Sequence, residues 1–168
     1  MRLAVFASGG GTNFQALLNA MDRGHLPAEP VCCVSDTPEA GTLDRAERAD
    51  VPTAVVEPSD HAGPESFGEA LLDVLEAHEV TFVALAGYMM KVPPSVVDAY
   101  RGRMTNLHPA LLPAFGGKGM YGMHVHDAVI EHGVHWSGGT VHLVDAAYDH
   151  GPLVLQEPLP VVADHTPQ

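Results

Sequence analysis

The sequence predicts an α/β fold, a doubly wound and mostly parallel sheet with helices on both faces. Three observations predict it. Short apolar β-type runs alternate four times with helical-period runs between Arg2 and Ala86, and that alternation is the mark of a parallel sheet with crossover helices. The run over 80–86 is almost continuously apolar, as a strand buried on both faces should be. The first strand passes through Ser8-Gly9-Gly10-Gly11-Thr12-Asn13 straight into a helix. Ligands in such sheets bind beyond the carboxyl ends of the strands.

The elements follow in order. A strand is expected over 2–7 and a helix over 14–21, with the glycine loop between them. A second strand covers 29–35, with Asp36 to Gly41 as a loop, and a short helix over 42–49 turns Leu43 and Ala46 inward. A third strand covers 52–56, a polar loop 59–64, and an amphipathic helix 65–78 carries Phe67, Leu71, Leu72 and Leu75 at helical spacing. The strand over 80–86 follows, then a short helix over 93–100 opened by Pro93-Pro94. Four glycines among residues 116–122 make a mobile or closely packed loop, a reasonable substrate lid. A helix over 123–133, a strand over 139–144, a turn over 145–152 and one or two strands over 153–161, broken at Pro158, complete the pattern. Residues 163–168 read as the start of a helix.

Two stretches carry chemistry. A strand, a glycine loop and a helix start aim several backbone N–H groups at one point, which attracts a phosphate. The loop has neither the dinucleotide spacing nor the P-loop lysine, and three glycines can also simply make a tight turn. The second stretch is Asn106-Leu107-His108-Pro109-Ala110-Leu111-Leu112-Pro113. Pro109 biases His108 to extended backbone, and period-two spacing puts Asn106 and His108 on one side of it. An amide donor beside an imidazole suits a carbonyl carbon turning tetrahedral: one stabilises the oxyanion, the other moves a proton. A strand end whose Asn and His satisfy turn hydrogen bonds is the plainer reading of the same octet. The glycine loop, the segment 87–91 and the octet each follow a strand and are expected on one sheet edge.

Composition narrows the classes. One domain is the default for 168 residues. The formal net charge of −13 argues against a broad nucleic-acid surface, yet permits an anionic small ligand held by backbone N–H groups. The two cysteines, Cys32 and Cys33, are adjacent in an apolar run. Neighbouring strand residues face opposite ways, so they read as small buried hydrophobes in a reducing compartment. No run reaches the length of a membrane span, and the first residues are too briefly apolar for a secretory signal. A cytoplasmic location is the expectation.

Taken together, the Ser8–Asn13 loop, Leu85-Ala86-Gly87-Tyr88-Met89, the octet, Gly139-Thr140-Val141-His142 and Asp149-His150-Gly151-Pro152, in that order, resemble the phosphoribosylglycinamide formyltransferases, the folate-dependent enzymes of purine biosynthesis. The likeness runs along essentially the whole chain. The resemblance implies a Rossmann-like formyltransferase fold with a C-terminal antiparallel strand. It implies transfer of a formyl group from the cosubstrate 10-formyltetrahydrofolate to glycinamide ribonucleotide, without a metal. Gly11, Thr12 and Asn13 would hold the substrate phosphate, making the early loop a phosphate-binding loop. Met89, Met90, Lys91, Val92 and Asn106 would line the folate pocket. Asn106, His108 and Asp149 would be the catalytic trio, with Asp149 raising the pKa of the imidazole and orienting it. Asp145, in the same turn, rivals Asp149 for that role, and the Asp-x-Gly-Pro match favours Asp149. Glycinamide ribonucleotide and folate are the expected partners, with neither nucleic acid nor membrane, and homodimer formation is allowed.

Two departures stand out. Pro64 occupies a position near which the family commonly has a basic residue, so folate binding would rest on other contacts. Residues 1–168 read as a single formyltransferase domain that lacks the family's C-terminal helix, which supplies a substrate-contacting carboxylate. A catalytically impaired or dead ligand-binding relic of the same fold is therefore the alternative. Among other folate-dependent formyltransferases, the methionyl-tRNA enzyme is disfavoured by acidity and by the lack of an RNA-binding domain. Formyltetrahydrofolate hydrolase would bring a regulatory domain. A zinc site from His124, His126, His132, His135 and His142 lacks a recognised ligand spacing.

Overall fold

The computed structural model describes residues 1–162 and 165–166 and divides into two compact units, residues 1–104 and 105–168. The expected helix start over 163–168 lies outside the described residues except for His165 and Thr166.

The first unit holds β1 (Arg2–Phe6), α1 (Thr12–Asp22), β2 (Glu29–Ser35), α2 (Gly41–Arg48), β3 (Thr53–Val55), α3 (Pro64–Ala77), β4 (Phe82–Leu85) and α4 (Pro94–Ala99). A single 3-10 turn, Pro58–Asp60, lies where the sequence suggests only loop. The strands run parallel in the order β3-β2-β1-β4. β1 is apolar at both parities because both of its faces are covered: Leu3, Ala4, Val5 and Phe6 are all buried. Leu3 and Val5 on one face pack with Cys33 of β2, Phe14 and Leu18 of α1 and Ala46 of α2. Outside that cluster, α3 and α4 pack on each other and bury Phe67, Leu71, Leu75, Val96 and Val97. Cys32 and Cys33 are free thiols in the core, and burial pushes the Cys32 thiol up to about 12. They are structural side chains.

The second unit is antiparallel. It contains β5 (Met104–His108, whose first residue falls at the unit boundary), α5 (Met123–Glu131), β6 (Trp136–Leu143) and β7 (Leu153–Pro160). β5 pairs antiparallel with β6, and β6 antiparallel with β7. Three expectations change here. Asn106 and His108 do not follow a strand but form the end of β5, where the His108↔Thr140 pairing holds them. β6 begins at Trp136, three residues before the predicted start. β7 runs unbroken through Pro158, because among the described residues it pairs with β6 alone and a proline is tolerated where no second neighbour needs its N–H. Among the described residues no helix is long and apolar enough to cross a membrane.

Candidate active site

In the first unit, β1 ends at Phe6 and the chain turns through the glycines into α1. Gly11 is the residue before the helix, in the left-handed region at φ 70°, and offers no side-chain cap. The first N–H groups of a helix have no intrahelical acceptor, so those of Thr12, Asn13 and Phe14 stand open at this end. Only glycine fits at position 11: a Cβ there would lie 2.7 Å from Thr42 Cα. Thr12 and Asn13 are exposed.

The loop after β4 is tied to the loop after β1. Ser8 N–H donates to the Gly87 carbonyl at 3.0 Å, and Met89 N–H donates to Ser8 Oγ at 2.8 Å. Met89, Met90 and Lys91 are exposed, whereas Val92 is buried in the core and can offer only backbone groups to a ligand.

The second unit gathers the predicted trio. Asn106 and His108, two apart on β5, turn the same way, while Leu107 between them faces outward. His108 is 3% exposed, and each of its ring nitrogens faces an oxygen. Nε2 donates to the Phe115 carbonyl at 2.8 Å, and Nδ1 lies 3.5 Å from Asp149 Oδ1. Asp149 is brought there by the turn between β6 and β7, in the left-handed region at φ 52° that aspartate tolerates. Gly151, two residues on, lets this turn lie against β6, since a Cβ there would overlap the Leu143 carbonyl. Asp145 is not the partner. It accepts from the exposed ring of His150 at 2.9 Å and from Ala147 N–H at 2.9 Å.

One neighbour enters the sequence reading only within the Gly139–His142 motif and the rejected zinc set, and not as a member of the catalytic group. His142 of β6 is 2% exposed, and its Nε2 lies 3.1 Å from Asn106 Nδ2 and 3.7 Å from Asp149 Oδ1. Its Nδ1 donates to the Leu143 carbonyl at 2.9 Å, so Nε2 is the acceptor of the Asn106 amide N–H. Asn106 Nδ2 also donates to Asp149 Oδ1 at 3.4 Å. Both contacts fix the amide with its nitrogen toward the carboxylate. The signal for His142 was strand alternation: Thr140 and His142 share one face of β6 across a half-buried Val141.

The electrostatics follow from these contacts. Burial would raise the Asp149 carboxyl, but the neighbouring His108 and His142 rings and the Gly117 N–H outweigh it, and the group sits well below the usual carboxylate range. Burial would lower the His142 imidazole, but Asp149 and the Leu143 carbonyl hold its proton, and its pKa is raised. The loop after Pro113 is closely packed where it meets this site: Gly117 N–H donates to Asp149 Oδ2 at 2.9 Å, and Gly116 is pressed against Leu112 and Asp149. Of the two expectations for this glycine-rich loop, close packing is the one that holds at residues 116–117. Thr140, wholly buried, ties the octet to β6 by donating to the Ala110 carbonyl at 2.6 Å and accepting from Leu112 N–H and Gln156 Nε2, each at 3.0 Å. Among the described residues no three His, Cys, Asp or Glu side chains are gathered for a metal ion.

The likeness to known proteins agrees with this geometry. A sequence profile described as Formyl transferase matches residues 1–168. The chloroplastic phosphoribosylglycinamide formyltransferase of Arabidopsis thaliana is 41% identical over 172 residues, covering 99% of this chain and 58% of its own length. The chain thus spans little more than half of that relative. The phosphoribosylglycinamide formyltransferase of Bacillus subtilis is 36% identical over 160 residues, covering 95% of this chain and 80% of its own. The crystal structure of phosphoribosylglycinamide formyltransferase from Bacillus halodurans superposes with a TM-score of 0.92 at 35% identity, covering 99% of this chain and 84% of that one. With its profile matched from first residue to last and its fold shared with solved members, the chain belongs to the formyl transferase family.

Proposed function

We propose that the chain transfers a formyl group from 10-formyltetrahydrofolate to the amine of glycinamide ribonucleotide. The observation that carries the reading is the cluster of half-buried Asn106 and Asp149 around buried His108, assembled from β5 and the β6–β7 turn with each ring nitrogen of His108 held by an oxygen. The family supplies the class of reaction and a folate-derived formyl donor.

The folate, when bound, supplies the formyl carbon as electrophile. Residues 89–92 fit such a ligand: Met89 and Met90 present apolar side chains to solvent on a backbone pinned by Ser8. As the amine adds to that carbon, negative charge develops on the formyl oxygen. Asn106 meets it by turning its amide N–H from His142 to that oxygen, and an aligned donor in a water-poor site is worth about 10²–10³ in rate. With Nε2 turned from the Phe115 carbonyl to the reacting groups, His108 takes the proton that must leave the amine and delivers it to the departing nitrogen. Asp149, 3.5 Å from His108 Nδ1, holds the ring and is its countercharge while that proton is on board. Gly11, Thr12 and Asn13 bind the phosphate through the open N–H groups at the start of α1.

The test is formyl transfer from 10-formyltetrahydrofolate to glycinamide ribonucleotide, in the parent and in His108→Ala. The expected result is turnover that falls about 10²-fold or more in the variant. A folded parent that binds both substrates without turnover would overturn the enzyme reading in favour of a ligand-binding relic.

A further inference from the structure

The glycine loop of the first unit is held from one side by α2. Thr42 N–H donates to the Gly9 carbonyl at 3.0 Å. Arg45, one turn further along the helix, donates its Nε–H to the Gly10 carbonyl at 2.6 Å and reaches Gln15 Oε1 with Nη1 at 3.2 Å. In a trans peptide the N–H points opposite to the preceding carbonyl. Drawing the Gly9 and Gly10 carbonyls toward α2 therefore turns the N–H groups of Gly10 and Gly11 away from it and leaves them for an acceptor. Arg2, Arg48 and Arg101 are each paired with a carboxylate, whereas among the described residues no carboxylate forms an ion pair with Arg45. A lone cation fixed against a loop of oriented peptides, in a chain of net charge −13, is placed for an anion.

We propose that Arg45 is the positioning residue of the phosphate-binding loop: it sets the Gly10–Gly11 peptide and supplies the positive charge that the loop itself lacks. This rests on reading residues 11–13 as the phosphate site. Such a residue acts on ligands that carry a phosphate and leaves the chemical step alone. A residue that merely braces the fold would not distinguish a phosphorylated ligand from its dephosphorylated counterpart.

The experiment compares the parent, Arg45→Ala and Arg45→Lys in two assays on the full chain. Steady-state kinetics gives kcat and KM for glycinamide ribonucleotide and for its dephosphorylated riboside. Calorimetry gives Kd for ribose 5-phosphate against ribose. Arg45→Ala is expected to raise KM for the ribonucleotide and Kd for ribose 5-phosphate about tenfold or more. Its kcat and its constants for the riboside should stay within about twofold of the parent. Arg45→Lys, which keeps a charge and a donor, should recover most of the loss. Unchanged KM and Kd in Arg45→Ala overturn the proposal, as does an equal loss for phosphorylated and dephosphorylated ligands. Turnover without Arg45 dependence overturns this proposal alone. Ribose 5-phosphate binding that needs Arg45, in a parent without turnover, supports it and overturns only the formyl-transfer reading.

Discussion

The two units build their candidate sites from different materials. Around Gly11 the groups offered to a ligand are peptide N–H donors, and α2 holds the loop carbonyls, Thr42 with its backbone N–H and Arg45 with its guanidinium. Around His108 the groups are side chains delivered by separate elements: Asn106 and His108 by β5, His142 by β6 and Asp149 by the turn that follows. A backbone site should be indifferent to most side-chain truncations and intolerant of anything that moves the main chain. A side-chain site should be the reverse, failing at single positions while the fold survives.

The largest expected effect tests the side-chain site at its two aspartates. Asp149→Ala should lower kcat about 10²-fold or more, while Asp145→Ala, four residues away in the same turn, should change it by less than about twofold because its carboxylate is engaged by the exposed His150 ring and the Ala147 N–H. Steady-state formyl transfer by both variants checks this, and the reverse ranking would move the role to Asp145.

Next comes the backbone site. Gly11→Ala forces a Cβ onto Thr42 Cα at φ 70°. It should cost about 1–3 kcal/mol of stability by strain and weaken binding of the phosphorylated substrate. Thr12→Ala, which keeps its N–H, should do neither. Denaturant unfolding and KM measured together would break the comparison if Thr12→Ala proved the more damaging.

Thr140→Val is a smaller and purely structural lever. It leaves the Leu112 N–H and the Ala110 carbonyl short of a buried partner, at an expected cost of about 1–3 kcal/mol, read from the urea midpoint. Its effect on kcat should follow only from looser placement of Asn106 and His108.

The smallest effect is on titration. His142 should titrate above the ordinary histidine value of about 6.5, and Asp149→Asn should bring the midpoint down, as followed by NMR of the ring protons. The raised His142 contributes stability that is fully present below about pH 6.5 and is lost as pH rises through its folded value. The depressed Asp149 works in the opposite sense, contributing stability present above about pH 4 and lost as pH falls below it. Unfolding free energies across both ranges should show each loss in the parent, with the acid loss absent and the alkaline loss reduced in Asp149→Asn.

Local pattern alone determined a good deal of this protein. The alternation of apolar runs and helical periods marked every helix and nearly every strand, because burial on both faces and amphipathic spacing are properties of neighbouring residues. The Asn106–His108 geometry followed from period two and Pro109, and the open helix start at Gly11 from the glycines themselves. Tertiary structure decided what depends on residues far apart in the chain. Asp149 prevails over Asp145 because only its turn geometry brings a carboxylate to β5, 3.5 Å from His108. His142 enters the site because β6 pairs against β5 in the register that sets Asn106 opposite it. Residues 116–117 are packed because Asp149 reaches the Gly117 N–H, and Pro158 continues β7 because that strand has one neighbour among the described residues. Register, turn handedness and the pairing of buried charges are set by long-range contacts, and a reading of adjacent residues has no access to them.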